Sequence, residues 1–221
     1  MTIKSSIVTS NQSGVHKDLE NSIKKHLTNP YKKPYRPFTD DIFHQIDAIQ
    51  KLTSKPIILD SGCGTGESSL QLARRNPEAL VIGIDKSEKR LEKLIIEHSV
   101  HHQDNLVLAR ADVVDIWRMI KESDWNIRKH YLLYPNPWPK KDQLKRRWHA
   151  HPVFPEMISL CHQIELRTNW KIYAEEFKQA IEIVTDKKAL MDSVEVSDFI
   201  SPFEKKYYDS GHELYRVITI N

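Results

Sequence analysis

Little in this chain points to metal, membrane or export. Its 221 residues include only two cysteines, Cys63 and Cys161, far apart and outside any metal-type spacing. That argues against a disulfide framework and fits a reducing, cytoplasmic setting. No apolar run approaches the roughly 20 residues of a membrane span. The start, Met1-Thr-Ile-Lys-Ser-Ser6, lacks the apolar core of a secretory signal. Eleven histidines are present, yet no cysteine or carboxylate accompanies them in a zinc pattern, so no metal is expected. His98, His101 and His102 are expected near a helix end, where cationic side chains suit the helix dipole. A chain of this length suits one α/β domain with short extensions, and it can bury roughly 70% of its unfolded surface without cross-links.

The net charge of +3 and a pI near 8.7 are mildly basic. The clustering of that charge is more informative. Lys140, Lys141, Lys145, Arg146 and Arg147 fall in one segment, and Lys24, Lys25, Lys32, Lys33 and Arg36 in another. Such clusters attract phosphate backbones, although a solvated face has the same composition. Tyr31 and Tyr35 alternate with basic residues in the second cluster, which suits RNA contact or packing on the domain.

The pattern along the chain predicts an N-terminal extension over residues 1–38 and a main domain over residues 39–221. Residues up to about Gly14 are polar and without period, the signature of disorder. Leu19, Ile23 and Leu27 recur every fourth position and predict a short amphipathic helix. Pro30, Pro34 and Pro37 break any helix between them, and Thr39 can cap the next one. From Pro56, short apolar strands alternate with helical stretches. Strands are expected at residues 57–59, 80–84, 106–108 and 131–134, with helices at 67–75, 88–97 and 113–121. This alternation predicts an α/β fold with a doubly wound, mostly parallel sheet. Residues 193–196 and 213–220 read as two strands with little helix between, hence an antiparallel pair at one sheet edge.

The first strand runs into Asp60-Ser-Gly-Cys-Gly-Thr-Gly66. Gly62, Gly64 and Gly66 allow a tight turn and close approach of a ligand to backbone. The second strand ends at Asp85, where a carboxylate can accept from both hydroxyls of a ribose. Asp60 suits a cationic group and would repel a pyrophosphate. Asp112, after the third strand, can accept from an adenine amino group. Together these residues resemble the class I methyltransferase pattern, which implies a seven-stranded Rossmann-like sheet and S-adenosyl-L-methionine as cofactor.

The fourth strand ends in Tyr134-Pro-Asn-Pro-Trp-Pro-Lys-Lys141. Chemistry in an open α/β sheet sits at the carboxyl ends of strands, and three prolines stiffen the loop. Asn136-Pro-Trp-Pro-Lys-Lys141, Lys145-Arg-Arg147, Thr168-Asn-Trp170 with Tyr173-Ala174, and Ser201-Pro-Phe-Glu204 follow in the order found in the bacterial tRNA (guanine-N7-)-methyltransferases. From about Pro56 to the end the chain resembles a divergent member of that family. The resemblance implies tRNA as partner and 7-methylguanosine as product. It places Asp60, Asp85 and Asp112 on the cofactor and Asn136 between methyl group and base. It further places Lys140 and Asn169 on the substrate, Ser201, Phe203 and Glu204 in a substrate-binding loop, and Lys145, Arg146 and Arg147 on RNA phosphate. Three departures stand out. Asparagines occupy two family aspartate positions, 136 and 169. Thr-Lys has become Ser201-Pro202. Cys161-His-Gln163 replaces a glycine turn.

Two other readings use the same residues. Asn136-Pro-Trp loosely resembles the Asn-Pro-Pro-aromatic motif of amino-group methyltransferases, where asparagine accepts from an exocyclic amine. Alternatively, the chain retains the fold as a non-catalytic tRNA-binding protein. Trp138 can stack on a base or serve the turn itself.

Overall fold

The computed structural model describes residues 4–91, 100–195 and 199–220. The chain forms two compact units, one of residues 33–133 and one of residues 1–32 with 134–221.

The first of these units carries the expected alternation. Its order is α2 (Pro37–Thr53), β1 (Ile57–Ser61), α3 (Glu67–Arg75), β2 (Leu80–Asp85), α4 (Glu88–Leu91), β3 (Val100–Gln103), β4 (Leu106–Arg110), α5 (Val113–Lys121) and β5 (Ile127–Leu133). The strands run β3-β4-β2-β1-β5. β1 pairs in parallel with β2 and β5, and β2 with β4. Every residue of β1 and β2 is buried, so both faces of the sheet are covered and the strands read as unbroken apolar runs. Gly83, in β2, is required by a close approach. A Cβ there would lie 2.2 Å from Ser69 Oγ of α3 and 2.7 Å from Leu108.

Three local expectations need correction. β3 is a strand beyond those expected and pairs antiparallel with β4. His101 and His102 therefore lie on a strand rather than at a helix end. His98 and the expected helix beyond Leu91 lie outside the described residues. Pro37 does not end a helix but begins one, at the position where its missing N–H costs nothing. Thr39 then falls inside α2, buried, and its hydroxyl accepts from the Asp112 N–H at 3.3 Å instead of capping.

The other unit holds α1 (Leu19–Thr28), α6 (Phe154–Ile158), β6 (Ile164–Thr168), α7 (Lys171–Thr185), β7 (Ala189–Ser193), α8 (Pro202–Asp209) and β8 (Tyr215–Thr219). β8 pairs antiparallel with both β6 and β7, the kind of edge pairing expected, but β7 runs Ala189–Ser193 and shares only Ser193 with the strand expected at residues 193–196. A helix, α8, separates β7 from β8, and Val196 lies outside the described residues. α1 packs on α6 and α7 through buried Leu19 and Ile23. Among the described residues no helix is long and apolar enough to cross a membrane.

Residues 5–16, expected to be disordered up to about Gly14, form an ordered strap on this unit. Ser10, Asn11 and Gln12 all hydrogen-bond to it. Gln12 leads to a buried polar centre built on Glu176 of α7. Glu176 Oε1 accepts from Gln12 Nε2 at 2.5 Å and from the His16 N–H at 2.9 Å. Its Oε2 accepts from Arg147 Nη1 at 2.5 Å and lies 2.8 Å from His149 Nε2. Burial pushes the carboxyl up, but the hydrogen bonds and charges of His149 and Arg147 outweigh it and hold Glu176 down at about 2.

This centre overturns the expectation that Arg147 meets RNA phosphate. Arg147 is 0% exposed. Its guanidinium also reaches the carbonyls of Trp138 and Lys140 and the Gln12 Oε1. The cause is local. Residues 141–146 form a 3₁₀ turn, in which positions three apart share a side. Buried Leu144 and Arg147 therefore point inward together, while Lys145 and Arg146 are exposed. Removing one partner of a buried ion pair leaves an uncompensated charge. Arg147→Ala is therefore expected to lower unfolding free energy by about 3–5 kcal/mol, read as a shift of the urea midpoint. A change below about 1 kcal/mol would show that the pair does not hold the unit.

Candidate functional site

The candidate cofactor residues lie within the unit of residues 33–133. Asp60 comes from the end of β1, Asp85 from the end of β2, and Asp112 from just beyond β4. These are the carboxyl ends of three neighbouring parallel strands. Gly62, Gly64 and Gly66 adopt φ values of 79°, 62° and 81°, a left-handed backbone that glycine adopts freely. A Cβ at Gly62 or Gly64 would project into open space. The loop is tied to β2 by Gly62 N–H and Cys63 N–H donating to the Ile84 carbonyl at 2.7 and 3.1 Å.

Asp85 organises this turn. Its Oδ2 accepts from the Gly64 N–H at 3.0 Å and its Oδ1 from the Ser87 N–H at 2.8 Å. Asp60 is 1% exposed. One of its oxygens accepts from Ser68 and Ser69 at 2.6 and 2.7 Å. The other is buried without any hydrogen-bond partner. Burial raises the carboxyl to about 6 despite the two serines, and the charge of Asp85 adds to the rise. An orphaned carboxylate oxygen beside an open glycine loop fits a ligand that brings a cation. The S-adenosylmethionine expected from the sequence satisfies that requirement, and a pyrophosphate does not.

Asp112 has a more local task. It is the N-cap of α5, where Oδ1 accepts from the Val114 N–H at 3.0 Å, and Oδ2 pairs with Arg36. An adenine amino group would have to share this carboxylate with both. Arg36 also pairs with Asp115, so it belongs less to a free basic patch than its sequence neighbours suggested. Tyr35 is likewise engaged, under Arg118 at 4.3 Å and donating to Glu122. In the same unit Trp117 Nε1 donates to Ser61 Oγ at 2.9 Å, and that oxygen lies 2.8 Å from His130 Nε2. Burial lowers His130 to about 3, so it is neutral at physiological pH. Nothing in the sequence pattern singled out this buried relay or the two serines on Asp60. Ser68-Ser69 one turn after the glycines is the signal that could have found the latter.

The candidate substrate residues lie in the other unit. The loop after β5 contains two non-glycine residues at positive φ, Tyr134 at 51° and Trp138 at 47°. For bulky side chains this is a strained conformation, held only when the surroundings impose it. The Tyr134 N–H donates to the Arg167 carbonyl at 2.8 Å and its hydroxyl to Glu204 at 3.0 Å. Asn136 is exposed at the loop's centre. Lys140, Lys145 and Arg146 are also exposed, and the Arg146 guanidinium lies 4.7 Å over the half-buried Trp138 ring. Asn169, after β6, is within 3.0 Å of His212.

The Ser201-Pro-Phe-Glu204 segment divides into structural and exposed parts. Ser201 is the N-cap of α8, accepting from the Glu204 N–H at 3.1 Å. Glu204 is 0% exposed. It accepts from Arg167 at 2.7 Å, from Tyr134 and from the Ile200 N–H. Both residues therefore cap and brace a helix rather than face a substrate, and a serine followed three positions later by glutamate is a helix-start signature. Phe203 is 46% exposed and stacks on Tyr207. Among the described residues no group of three or more His, Cys, Asp or Glu could hold a metal ion.

An α/β sheet with a glycine loop and three carboxylates at its strand ends defines a class I methyltransferase-like fold. Solved structures agree at the level of fold. An antibiotic-related methyltransferase aligns with TM-score 0.59 at 16% identity, covering 79% of this chain and 94% of its own. A 16S rRNA methyltransferase aligns with TM-score 0.55 at 15% identity, covering 85% and 94%. Residues 54–217 match the family described as "Putative methyltransferase", and the chain belongs to that family. A tRNA (guanine-N(7)-)-methyltransferase of Neisseria gonorrhoeae is 28% identical over 132 residues, which is 58% of this chain and 55% of that protein. The match thus spans little more than half of that relative's length. The enzyme of the same name from Rubrobacter xylanophilus is 27% identical over 189 residues, or 79% of this chain and 84% of its own.

The protonation of Asp60 supplies a test of the cofactor half. With the folded carboxyl at about 6, a cationic ligand meets a charged partner above that pH and a neutral one below it. S-adenosylmethionine affinity, measured by calorimetry, is expected to be flat above about pH 7. It should fall as pH drops below 6, by up to about tenfold per unit. Asp60→Asn should weaken binding and flatten this profile. An unchanged profile in that variant would remove Asp60 from the ligand.

Proposed function

We propose that the chain is an S-adenosylmethionine-dependent methyltransferase that forms 7-methylguanosine in tRNA, working in the cytoplasm. The observation that carries this reading is the strained, externally braced loop that exposes Asn136 and Lys140, with Arg146 lying over its Trp138. The names of the relatives support it. Two free cysteines, Cys63 and Cys161, fit a reducing compartment.

When bound, S-adenosylmethionine supplies an electrophilic methyl group. The chain's own residues then bind and align. Asp60 takes the cation of the methionine moiety, and Asp85 takes the ribose hydroxyls while keeping the glycine loop in place. Asp112 borders the adenine. Guanine N7 is nucleophilic in the neutral base, so the reaction needs alignment more than proton removal. Alignment of two reactants supplies about 7–11 kcal/mol. Asn136 faces the reacting base, Trp138 offers a stacking surface beneath Arg146, and Lys140, Lys145 and Arg146 hold phosphate. Asn169 and Phe203 complete the substrate surface. Arg147, Ser201 and Glu204 hold that surface from below.

A second reading rests on Asn136 itself, an amide where the related enzymes carry an acid. An exocyclic amine could donate to its oxygen. The two readings separate in one variant. If guanine N7 is the target, Asn136→Asp adds a charge that balances the developing cation. The rate should hold or rise, by about tenfold or more if the charge-assisted contact is worth roughly 1.5–3 kcal/mol. If an amine is the target, the same change should impair turnover. Nucleoside mass spectrometry on tRNA from cells with and without the gene identifies the product. Loss of a methylated nucleoside other than 7-methylguanosine would overturn the N7 reading, and no loss of any would leave an RNA-binding protein.

The phosphate role has its own readout. Lys145→Ala with Arg146→Ala should lower tRNA affinity and reduce the slope of log affinity against log salt by about two contacts. S-adenosylmethionine affinity should not change. An unaltered slope would show that these side chains are merely solvated.

A further inference from the structure

We propose that Ser10, Asn11 and Gln12 are positioning residues that set the conformation of the loop at residues 136–141 and thereby its grip on RNA. The inference rests on the substrate reading above for its effect on RNA, and on geometry alone for its effect on the loop.

The loop cannot satisfy its own backbone. Pro137 and Pro139 remove two N–H donors, and the 3₁₀ turn of residues 141–146 reaches back only as far as Lys140, whose carbonyl accepts from the Gln143 N–H at 3.0 Å and whose N–H donates to Gln143 Oε1 at 3.2 Å. Four consecutive backbone positions are satisfied from outside. The Pro139 carbonyl accepts from Ser10 Oγ at 2.5 Å. The Lys141 N–H donates to Asn11 Oδ1 at 3.0 Å. The carbonyls of Trp138 and Lys140 accept from Arg147, at 3.0 and 3.2 Å from Nη2. The same Nη2 donates to Gln12 Oε1 at 3.0 Å, and Gln12 Nε2 donates to Glu176. Three successive residues thus reach the loop twice directly and once through Arg147. A positive φ at Trp138 persists only while such contacts impose it.

The strap is fixed on both sides of these residues. The His16 N–H donates to Glu176, and α1 follows with Leu19 and Ile23 buried. On the other side the Ser5 N–H donates to Ser210 Oγ at 2.9 Å, and its carbonyl lies 3.1 Å from His212 Nε2. His212 is also the partner of Asn169. The strap therefore connects the proline-rich loop and Asn169, two segments assigned to the substrate, with the end of α8. Its own side chains at positions 10 and 11 are exposed, so they can be changed without opening the core.

The test uses the full chain with Ser10→Ala and Asn11→Ala combined, and Ser10→Thr and Asn11→Asp as variants that keep a hydroxyl and an acceptor oxygen. Residue-resolved amide hydrogen exchange reads the loop without reference to activity. Methylation of total tRNA from cells lacking the gene reads KM and kcat. The double alanine variant is expected to expose the Lys141 amide to exchange at least tenfold faster, with unchanged exchange in residues 57–85. It should raise the tRNA KM fivefold or more, with kcat within about threefold and S-adenosylmethionine affinity unchanged. Asn11→Asp should restore protection of the Lys141 amide, and Ser10→Thr should lower KM relative to Ser10→Ala. Unchanged exchange in the loop overturns the proposal, as does a looser loop with unaltered KM. A raised KM with an undisturbed loop would mean that Ser10 and Asn11 touch RNA themselves, which also overturns it. If the wild-type chain methylates no RNA, the substrate reading fails. The exchange measurement, with tRNA affinity in place of KM, still decides the strap.

Discussion

The Glu176 carboxylate is the constraint that ties the N-terminal strap and the 3₁₀ turn to α7, and through Arg147 the proline-rich loop as well. It is fully buried, and burying a lone charge costs several kcal/mol after relaxation. That cost is met only by complete satisfaction, and here four donors converge from two distant stretches of the sequence, Gln12 and His16 from one and Arg147 and His149 from the other. Buried ion pairs add little net stability compared with an apolar core. What this one adds is a fixed relation between α7, the 3₁₀ turn, the strap and, through Arg147, the carbonyls of the proline-rich loop.

How much of this was legible in the sequence follows from which interactions are local. β1, β2 and β4 are short apolar runs bounded by polar turns, and their helices repeat at every third or fourth position, so the alternation was readable. The glycine loop was readable because positive φ has a residue signature. Thr39 was misread as a cap because proline was taken as a stop, whereas Pro37 is at home in a helix's first turn. β3 carries Val100-His-His-Gln103, a polar edge strand without the apolar run that marks a central one. The strap was misread for a related reason. Its order comes from hydrogen bonds to distant partners, and a polar stretch lacking apolar period looks the same whether it is solvated or pinned.

The basic segment shows why residue type alone misassigns function. Lys145, Arg146 and Arg147 are equivalent in charge, yet the three-residue period of a 3₁₀ turn sends one inward and leaves two outside. Leu144 carried the missing information, because a buried apolar residue three positions earlier marks the inward side. The same logic applies to Ser201 and Glu204. They match a substrate motif in sequence, while the geometry uses them to start α8 and to brace Arg167 and Tyr134. Phe203, between them, remains exposed.

The composition of the proline-rich loop bears on the choice between the two proposed methyl acceptors. Methylation of an exocyclic amine must release a proton, whereas attack by guanine N7 releases none. Residues 134–141 carry no carboxylate and no histidine. The Tyr134 hydroxyl donates to Glu204, and burial together with that carboxylate pushes it well above the usual phenol range. It is thus a fixed donor rather than a base. Asn136 has an amide oxygen that can orient a donor but cannot hold a proton at neutral pH. A loop of this composition is suited to a nucleophile that already presents a lone pair. The positive charge left on such a base falls beside an amide dipole, a weaker stabiliser than a carboxylate. On the proposed guanine-N7 reading, the asparagine at position 136 would lower the attainable rate without changing which atom the loop is suited to align.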